Sequence, residues 1–265
     1  MNELTVGGFT FGDGTPRICV PLIGRTEEEI LKHADLIRKE IDRLDGVYSD
    51  TPELKVAVIE WRADYFDNLA DLENLQMLLN NLRMIFSDRL LLFTFRSEEQ
   101  GGELRHDRVG SNLEPIMKTV ITSGAIDLLD VEVTYGNYKI VRATTRAHEA
   151  GIKVVMSYHD FNKTPHDSEL EDKLRDMEIL GGDILKIAVM PKNEFDVRRV
   201  MELNRRMVDE SFKPIVLISM GDIGMASRFK CRETGACLTF GMMGEESATG
   251  QIEASDLMAL LKNQI

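Results

Sequence analysis

Gly181-Gly-Asp-Ile-Leu-Lys186-Ile-Ala-Val-Met-Pro191 holds the key to the fold. Residues 184–190 are apolar except at Lys186, the length and composition of a strand buried on both faces. The paired glycines before it stand where a helix C-cap favours positive φ. Helix, glycine, buried strand is the local grammar of a parallel α/β fold. Lys186 interrupts it. An ammonium in a water-poor interior costs several kcal/mol unless it is paired or neutralised. A lysine relieved of its charge is a nucleophile suited to imine chemistry on ketones. A snorkelling lysine, or a strand-end lysine in an ion pair, is the structural alternative.

The same succession recurs on both sides of this stretch. A helix ends at Gly124 and the strand Ile126-Asp-Leu-Leu-Asp-Val131 begins; another ends at Gly151 and Lys153-Val-Val-Met156 begins. Upstream lie the strands Ile18–Ile23, Val56–Arg62 and Leu90–Phe95. Between them, Ile30, Ala34, Ile37, Ile41 and Leu44 form one helical stripe, and Leu72, Leu75, Leu79, Leu82 and Phe86 another. Downstream, Asn193 caps a helix to about Asp209, followed by the strand Pro214–Ile218. A short helix from Met225 to Arg232 comes next, then the strand Leu238–Phe240 and a helix opened by Ser255. Residues 5–17, with Gly12-Asp-Gly14, read as a hairpin ahead of the main fold. Pro21 lacks a backbone donor and belongs near its strand's end. Eight strand–helix units in 265 residues, without a linker, predict a single (β/α)8 TIM barrel over 1–265 with an N-terminal hairpin over 1–17. No glycine-rich dinucleotide fingerprint follows the first strand.

Composition narrows the function. A formal net charge of −13, from 32 basic and 45 acidic residues, argues against a nucleic-acid or anionic-membrane surface. Cys19, Cys231 and Cys237 have no metal or redox spacing. The N-terminus lacks the pattern of a signal peptide and no run approaches a membrane span, so a cytoplasmic setting is expected.

Barrel enzymes carry their chemistry at the C-terminal strand ends and in the loops that follow. Those positions hold Glu60 and Arg62, then Arg96, then Ser157-Tyr-His159-Asp160, then Lys186, Ser219 and Arg228. The loop over 241–252, rich in Gly, Ser and Thr, reads as a lid. A buried lysine and a histidine on adjacent strands, with three arginines about them, fit an anionic keto substrate whose carboxylate an arginine clamps. Taken singly these residues also admit plain roles: His159 as a backbone cap, Glu60 with Arg62 as an ion pair. His33, His106, His148 and His166 read as surface residues, and no His or Cys pair has metal-ligand spacing.

The chain resembles the type I 3-dehydroquinate dehydratase family. The resemblance rests on Glu60-Trp-Arg62-Ala-Asp64, on Phe93-Thr-Phe-Arg96-Ser with Gly101-Gly-Glu103, and on Ser157-Tyr-His159-Asp-Phe161-Asn-Lys-Thr-Pro165. It continues through Lys186-Ile-Ala-Val-Met-Pro191, Ser219-Met-Gly with Ser227-Arg228, and Ser247-Ala-Thr-Gly250-Gln251. It implies a lyase, free of metal and cofactor, that converts 3-dehydroquinate to 3-dehydroshikimate, a step of the shikimate pathway shared with quinate breakdown. By the same resemblance Lys186 forms an imine with the C3 ketone, and His159 removes a C2 proton and protonates the departing hydroxyl in a syn elimination. Arg228 would hold the carboxylate, Glu60, Arg62 and Arg96 the ring hydroxyls, and Ser247 and Gln251 the lid side; the family is usually a homodimer. The chain departs from the pattern at Gln100, where many members have a glutamate, at Pro21 and at Thr249. If that glutamate tunes the histidine, the tuning here is weaker or comes from elsewhere, such as Asp130 or Glu132 on the fourth strand. A class I aldolase keeps Lys186 but leaves Glu60, Arg62, Ser247 and Gln251 without work; a non-catalytic carboxylate-binding barrel would leave Lys186 and His159 idle.

Overall fold

Each buried run of the sequence is a strand, and the register between them builds one parallel sheet. The computed structural model describes residues 3–103, 113–244 and 251–264. The strands are β1 (Leu4–Val6), β2 (Phe9–Phe11), β3 (Arg17–Leu22), β4 (Val56–Arg62), β5 (Leu90–Thr94) and β6 (Leu128–Glu132). They continue as β7 (Lys153–Asp160), β8 (Ile184–Val189), β9 (Ile215–Ser219), β10 (Leu238–Met242) and β11 (Ile252–Glu253). Among the described residues the large sheet runs β11-β10-β3-β4-β5-β6-β7-β8-β9. The sheet closes on itself where the Cys237 N–H, at the start of β10, donates to the Ile215 carbonyl of β9 at 2.9 Å. The fold is a (β/α)8 barrel with an antiparallel β1–β2 hairpin before it.

The helices are α1 (Glu27–Val47), α2 (Leu72–Ile85), α3 (Glu114–Thr122), α4 (Asn137–Glu149), α5 (Asp167–Ile179) and α6 (Glu194–Glu210), then α7 (Ala226–Phe229), α8 (Cys231–Thr234) and α9 (Ala254–Lys262). Their apolar stripes face the sheet: Ile30, Ala34, Ile37, Ile41 and Leu44 of α1 are all buried. Thr26, Asp71 and Asn193 cap α1, α2 and α6 by accepting backbone N–H groups that the first turn cannot satisfy internally. Gly124, Gly151 and Gly181 have φ of 69°, 78° and 91°, the left-handed backbone that ends a helix cheaply only at glycine.

Three elements differ from the sequence reading. The helix expected over 225–232 is broken into a 3₁₀ turn, Ile223–Met225, and two single-turn helices that part at Lys230. The last helix opens at Ala254, one residue before Ser255. The segment read as a loop over 241–252 has sheet at both ends, because Gly241 and Met242 pair with Ile252 and Glu253. Pro21 is the penultimate residue of β3 and pairs with Glu60, as its missing donor requires. The hairpin closes the N-terminal end of the barrel: Phe11 is fully buried, Gly7 packs on Leu90 at the start of β5, and the Arg17 guanidinium bonds the Thr10 carbonyl and Asp13.

The register aligns the polar strand residues at the opposite end. Lys186 pairs with Ser157 on one side and Val216 on the other, and His159 lies two residues further along β7 on the same face as Ser157. Among the described residues, no helix is long and apolar enough to cross a membrane.

Candidate active site

Lys186 is third of six residues in β8 and only 5% exposed, so its side chain lies within the barrel. Its Nζ donates to Glu60 Oε1 at 3.5 Å and stands 4.3 Å from the centre of the Phe240 ring, which lends the ammonium a further weak attraction. Glu60 also accepts from the Thr94 hydroxyl at 3.0 Å. Burial alone would raise the Glu60 carboxyl; Lys186, Arg62, Arg96 and the Thr94 hydroxyl outweigh it and hold the group below its ordinary value. The buried lysine is therefore paired, and its nearest charge is an anion.

The arginines are committed to carboxylates of their own. Arg62 forms a fork with Asp64, Nε to Oδ1 and Nη2 to Oδ2, both at 2.8 Å. Arg96 donates through Nη1 to Glu132 at 2.9 Å and to Ser157 Oγ at 2.8 Å, and through Nη2 to Asp130 at 2.9 Å. The Ser157 hydroxyl donates onward to Asp130 at 2.7 Å. Burial would lower each guanidinium, but the adjoining carboxylates reverse that and raise both, so both stay charged. These pairs hold two cations rigidly at the mouth of the barrel, with all partners buried. Arg228 is likewise buried, in α7; its carbonyl is held by the Thr239 hydroxyl of β10 at 2.7 Å, and its neighbour Ser227 is tied to the backbone of Ser219.

His159 is half-buried near the end of β7. Its backbone N–H donates to Gln100 Oε1 at 2.7 Å, its Nδ1 lies 3.2 Å from the same oxygen, and Phe161 stacks on the ring at 6.4 Å between centres. Burial, then Arg96, Lys186 and Arg62, push its pKa well below the ordinary 6.5. At neutral pH it is an uncharged base. Beside it opens a cavity of about 540 Å³, lined by Gln100, Glu132, Thr134, Tyr158, Asp160 and Phe161 among others.

The paired glycines 101 and 102 make this corner possible. Gly101 has φ of 83°, and a Cβ there would run into the ring of Phe161; a Cβ on Gly102 would strike the Arg96 carbonyl. The loop after β5 thus lies directly against Arg96 and against the ring that backs His159.

Glu60, Arg62, Arg96, His159 and Lys186 are brought together at one end of the barrel, joined by hydrogen bonds or mutual electrostatic influence. Gln251 is part-buried immediately before β11, on the strap beside β10, and Ser247 lies outside the described residues, as does His106. Asp130 and Glu132, offered from the sequence as partners for His159, instead bind Arg96. His33 is no plain surface histidine, since its ring bridges the carbonyls of Ile23 at 3.1 Å and Met243 at 2.9 Å. His148, though exposed, is tied to Asp183 at 2.7 Å. The sequence reading gave Asp64 no role; its signal was a carboxylate two residues after an arginine in a buried run. Among the described residues, no group of three His, Cys, Asp or Glu side chains is arranged to hold a metal.

Comparison with known proteins shows the family. The family model described as Type I 3-dehydroquinase matches residues 18–264. A 3-dehydroquinate dehydratase of Listeria monocytogenes is 36% identical over 262 residues, covering 98% of this chain and 97% of that one. That of Bacillus subtilis is 35% identical, over 98% and 96%. Among solved structures, a type I 3-dehydroquinate dehydratase from Clostridium difficile, described with covalently modified comenic acid, superposes with a TM-score of 0.86 at 35% identity, covering 99% of this chain and 97% of that one. A 3-dehydroquinate dehydratase from Geobacillus kaustophilus gives 0.87 at 31% identity, over 99% and 98%.

Proposed function

The chain belongs to the type I 3-dehydroquinase family, and from that premise we propose that it dehydrates 3-dehydroquinate to 3-dehydroshikimate, a step of the shikimate pathway, through an imine on Lys186 with His159 as acid and base. The observation that carries the reading is Lys186 Nζ, buried inside the barrel against Glu60, with a neutral histidine on the neighbouring strand.

Lys186 must shed a proton before it attacks the C3 ketone. His159, uncharged at neutral pH, can take that proton and later assist loss of water from the carbinolamine. Once the imine forms, its nitrogen becomes the electron sink, so the C2–H bond can break with its proton passing to His159. The electron pair moves toward the imine and returns as the C1 hydroxyl departs, and His159 gives its proton to that hydroxyl, which leaves as water. Hydrolysis of the product imine restores Lys186. The electron sink is the enzyme's own side chain, so no cofactor or metal takes part in the proposed steps.

Glu60, which already accepts from the Thr94 hydroxyl, is assigned to substrate hydroxyls. Arg62 and Arg96, held by Asp64, Asp130 and Glu132, offer fixed cations at the same end of the barrel. We assign the substrate carboxylate to Arg228, and closure over the bound ring to Ser247 and Gln251 in the lid segment 241–252. The whole of 1–265 acts as one barrel domain in this reading, as a homodimer in the cytoplasm.

Borohydride trapping tests it. Incubation with 3-dehydroquinate followed by sodium borohydride should leave a reduced adduct on Lys186, found by peptide mass spectrometry, with activity lost in proportion. A folded, active protein that yields no adduct would exclude the covalent imine.

A further inference from the structure

Gln100 ends a short 3₁₀ turn, Glu98–Gln100, and is 3% exposed. Its carboxamide serves three hydrogen bonds. Oε1 accepts from the His159 backbone N–H at 2.7 Å and lies 3.2 Å from His159 Nδ1, while Nε2 donates to the Thr134 hydroxyl at 2.6 Å. A backbone N–H can only donate, so the atom facing it is the amide oxygen, and the orientation of the carboxamide is fixed. That oxygen can only accept, so Nδ1 of the neutral imidazole carries its hydrogen. The other ring nitrogen, Nε2, is left with a bare lone pair.

We infer that Gln100 is a positioning residue that locks His159 in the Nδ1–H form and, being uncharged, denies the imidazolium an anionic partner, so that His159 remains a free base to more acid pH than a carboxylate at this position would allow. The inference rests on the reading of His159 as the base of the dehydration.

The surroundings favour it. The charges bearing on the ring are Arg96, Lys186 and Arg62, all cations, and with burial they disfavour a charged imidazole. The cavity beside the ring also has Glu99, Glu132, Lys139, Asp160 and the phenols of Tyr135 and Tyr158 on its walls. Glu132 is engaged by Arg96 and by the Ser97 N–H, and Asp160 Oδ1 accepts from the N–H groups of Asn162 and Lys163. A glutamate at position 100 would keep the outline of the side chain. One oxygen would face the His159 N–H, and the other would face Thr134, whose hydroxyl can turn to donate. The change would be one of charge, and a carboxylate this close to an imidazolium raises its pKa by roughly one unit or more.

The test compares the full-length protein with Gln100→Glu by two readouts: ¹⁵N NMR of the histidine ring nitrogens without substrate, and the pH dependence of kcat. In the unaltered protein the resonances of His159 should report a protonated Nδ1 and a bare Nε2, titrating below pH 6.5. In Gln100→Glu the midpoint should rise by about one unit or more, and the acid limb of kcat should move with it. Gln100→Met, whose thioether is only a weak acceptor, should show a mixture of ring tautomers without a raised midpoint. A protonated Nε2 in the unaltered protein, or a midpoint unmoved by Gln100→Glu, would overturn the inference. A raised NMR midpoint with a stationary kcat limb would overturn the base reading of His159 on which it rests, and a missing borohydride adduct would sink the imine while leaving the NMR result standing.

Discussion

The Lys186 amine lies 3.5 Å from Glu60 Oε1, although β8 and β4 stand four places apart in the sheet. In an eight-stranded barrel that separation is half the circumference, so the pair crosses the interior. Both groups are buried, and Lys186 is the largest of the cationic influences on Glu60. This relationship changes what removal of either partner does.

Lys186→Ala should abolish turnover and form no borohydride adduct. It should also destabilise the fold, because the Glu60 carboxylate is left buried without its cation; breaking such a pair costs about 3–5 kcal/mol, less whatever protonation of the carboxyl recovers. In the variant the Glu60 pKa should rise above its unfolded value near 4.5. A raised carboxyl binds its proton more tightly when folded, so the deficit is smallest below about pH 4.5 and grows as pH rises. Urea denaturation of both proteins at pH 5 and pH 8 would show this; an equal deficit at both would contradict it.

His159→Ala should reduce kcat by about 10²–10⁴-fold, the usual contribution of a positioned acid–base group. Imine formation should survive better than elimination, so adduct should accumulate on Lys186. Mass spectrometry of the variant after brief exposure to substrate measures this, and an adduct-free protein would place the role of His159 before the imine.

Activity of the unaltered protein should hold below pH 6.5 before failing on the acid side. Burial and three cations depress the His159 pKa, so protonation of the base begins only below its ordinary range. A kcat profile between pH 4.5 and 8 decides it; an acid limb above 6.5 would point to another group.

Arg96→Lys should cost both stability and activity. One ammonium cannot span Asp130, Glu132 and Ser157, which the planar guanidinium meets together. At least one carboxylate is left buried and unpaired, a loss of about 3 kcal/mol or more. Thermal denaturation beside kcat/KM checks this, and a variant as stable as the parent would show that the network tolerates the exchange.

Gly101→Ala should disturb His159 without touching it. The backbone there sits at φ of 83°, and the new methyl would displace the Phe161 ring that backs the histidine. A cost of about 1–3 kcal/mol from the strained backbone is expected, with kcat falling more than KM changes. Denaturation and steady-state kinetics together separate the two effects.

The order of helix, glycine and strand was legible because it is local. Strand burial shows as an unbroken apolar run, a helix as a stripe, and its end as a glycine, so the barrel could be counted along the chain. Lys186 and His159 were legible for a related reason, since a polar residue is conspicuous within or just after such a run. The splitting of the short helix at Lys230 and the strand at Ile252–Glu253 were not, for two residues carry too little pattern to mark an element.

Partnership was the part hidden from the sequence. Nothing in the spacing says that Lys186 meets Glu60, 126 residues away, or that Asp130 and Glu132 serve Arg96 instead of His159. Those choices are made by barrel closure, which brings opposite strands within reach and leaves each buried charge no solvent to fall back on. Gln100 makes the same point: its residue type was visible in the chain, but its hold on both the backbone and the ring of His159 exists only where the loop after β5 meets the end of β7. Sequence determined which segments are buried and in what order, through local periodicity; tertiary structure decided which buried charge answers which, because in a water-poor interior each must be answered by whatever group the fold brings within hydrogen-bonding distance.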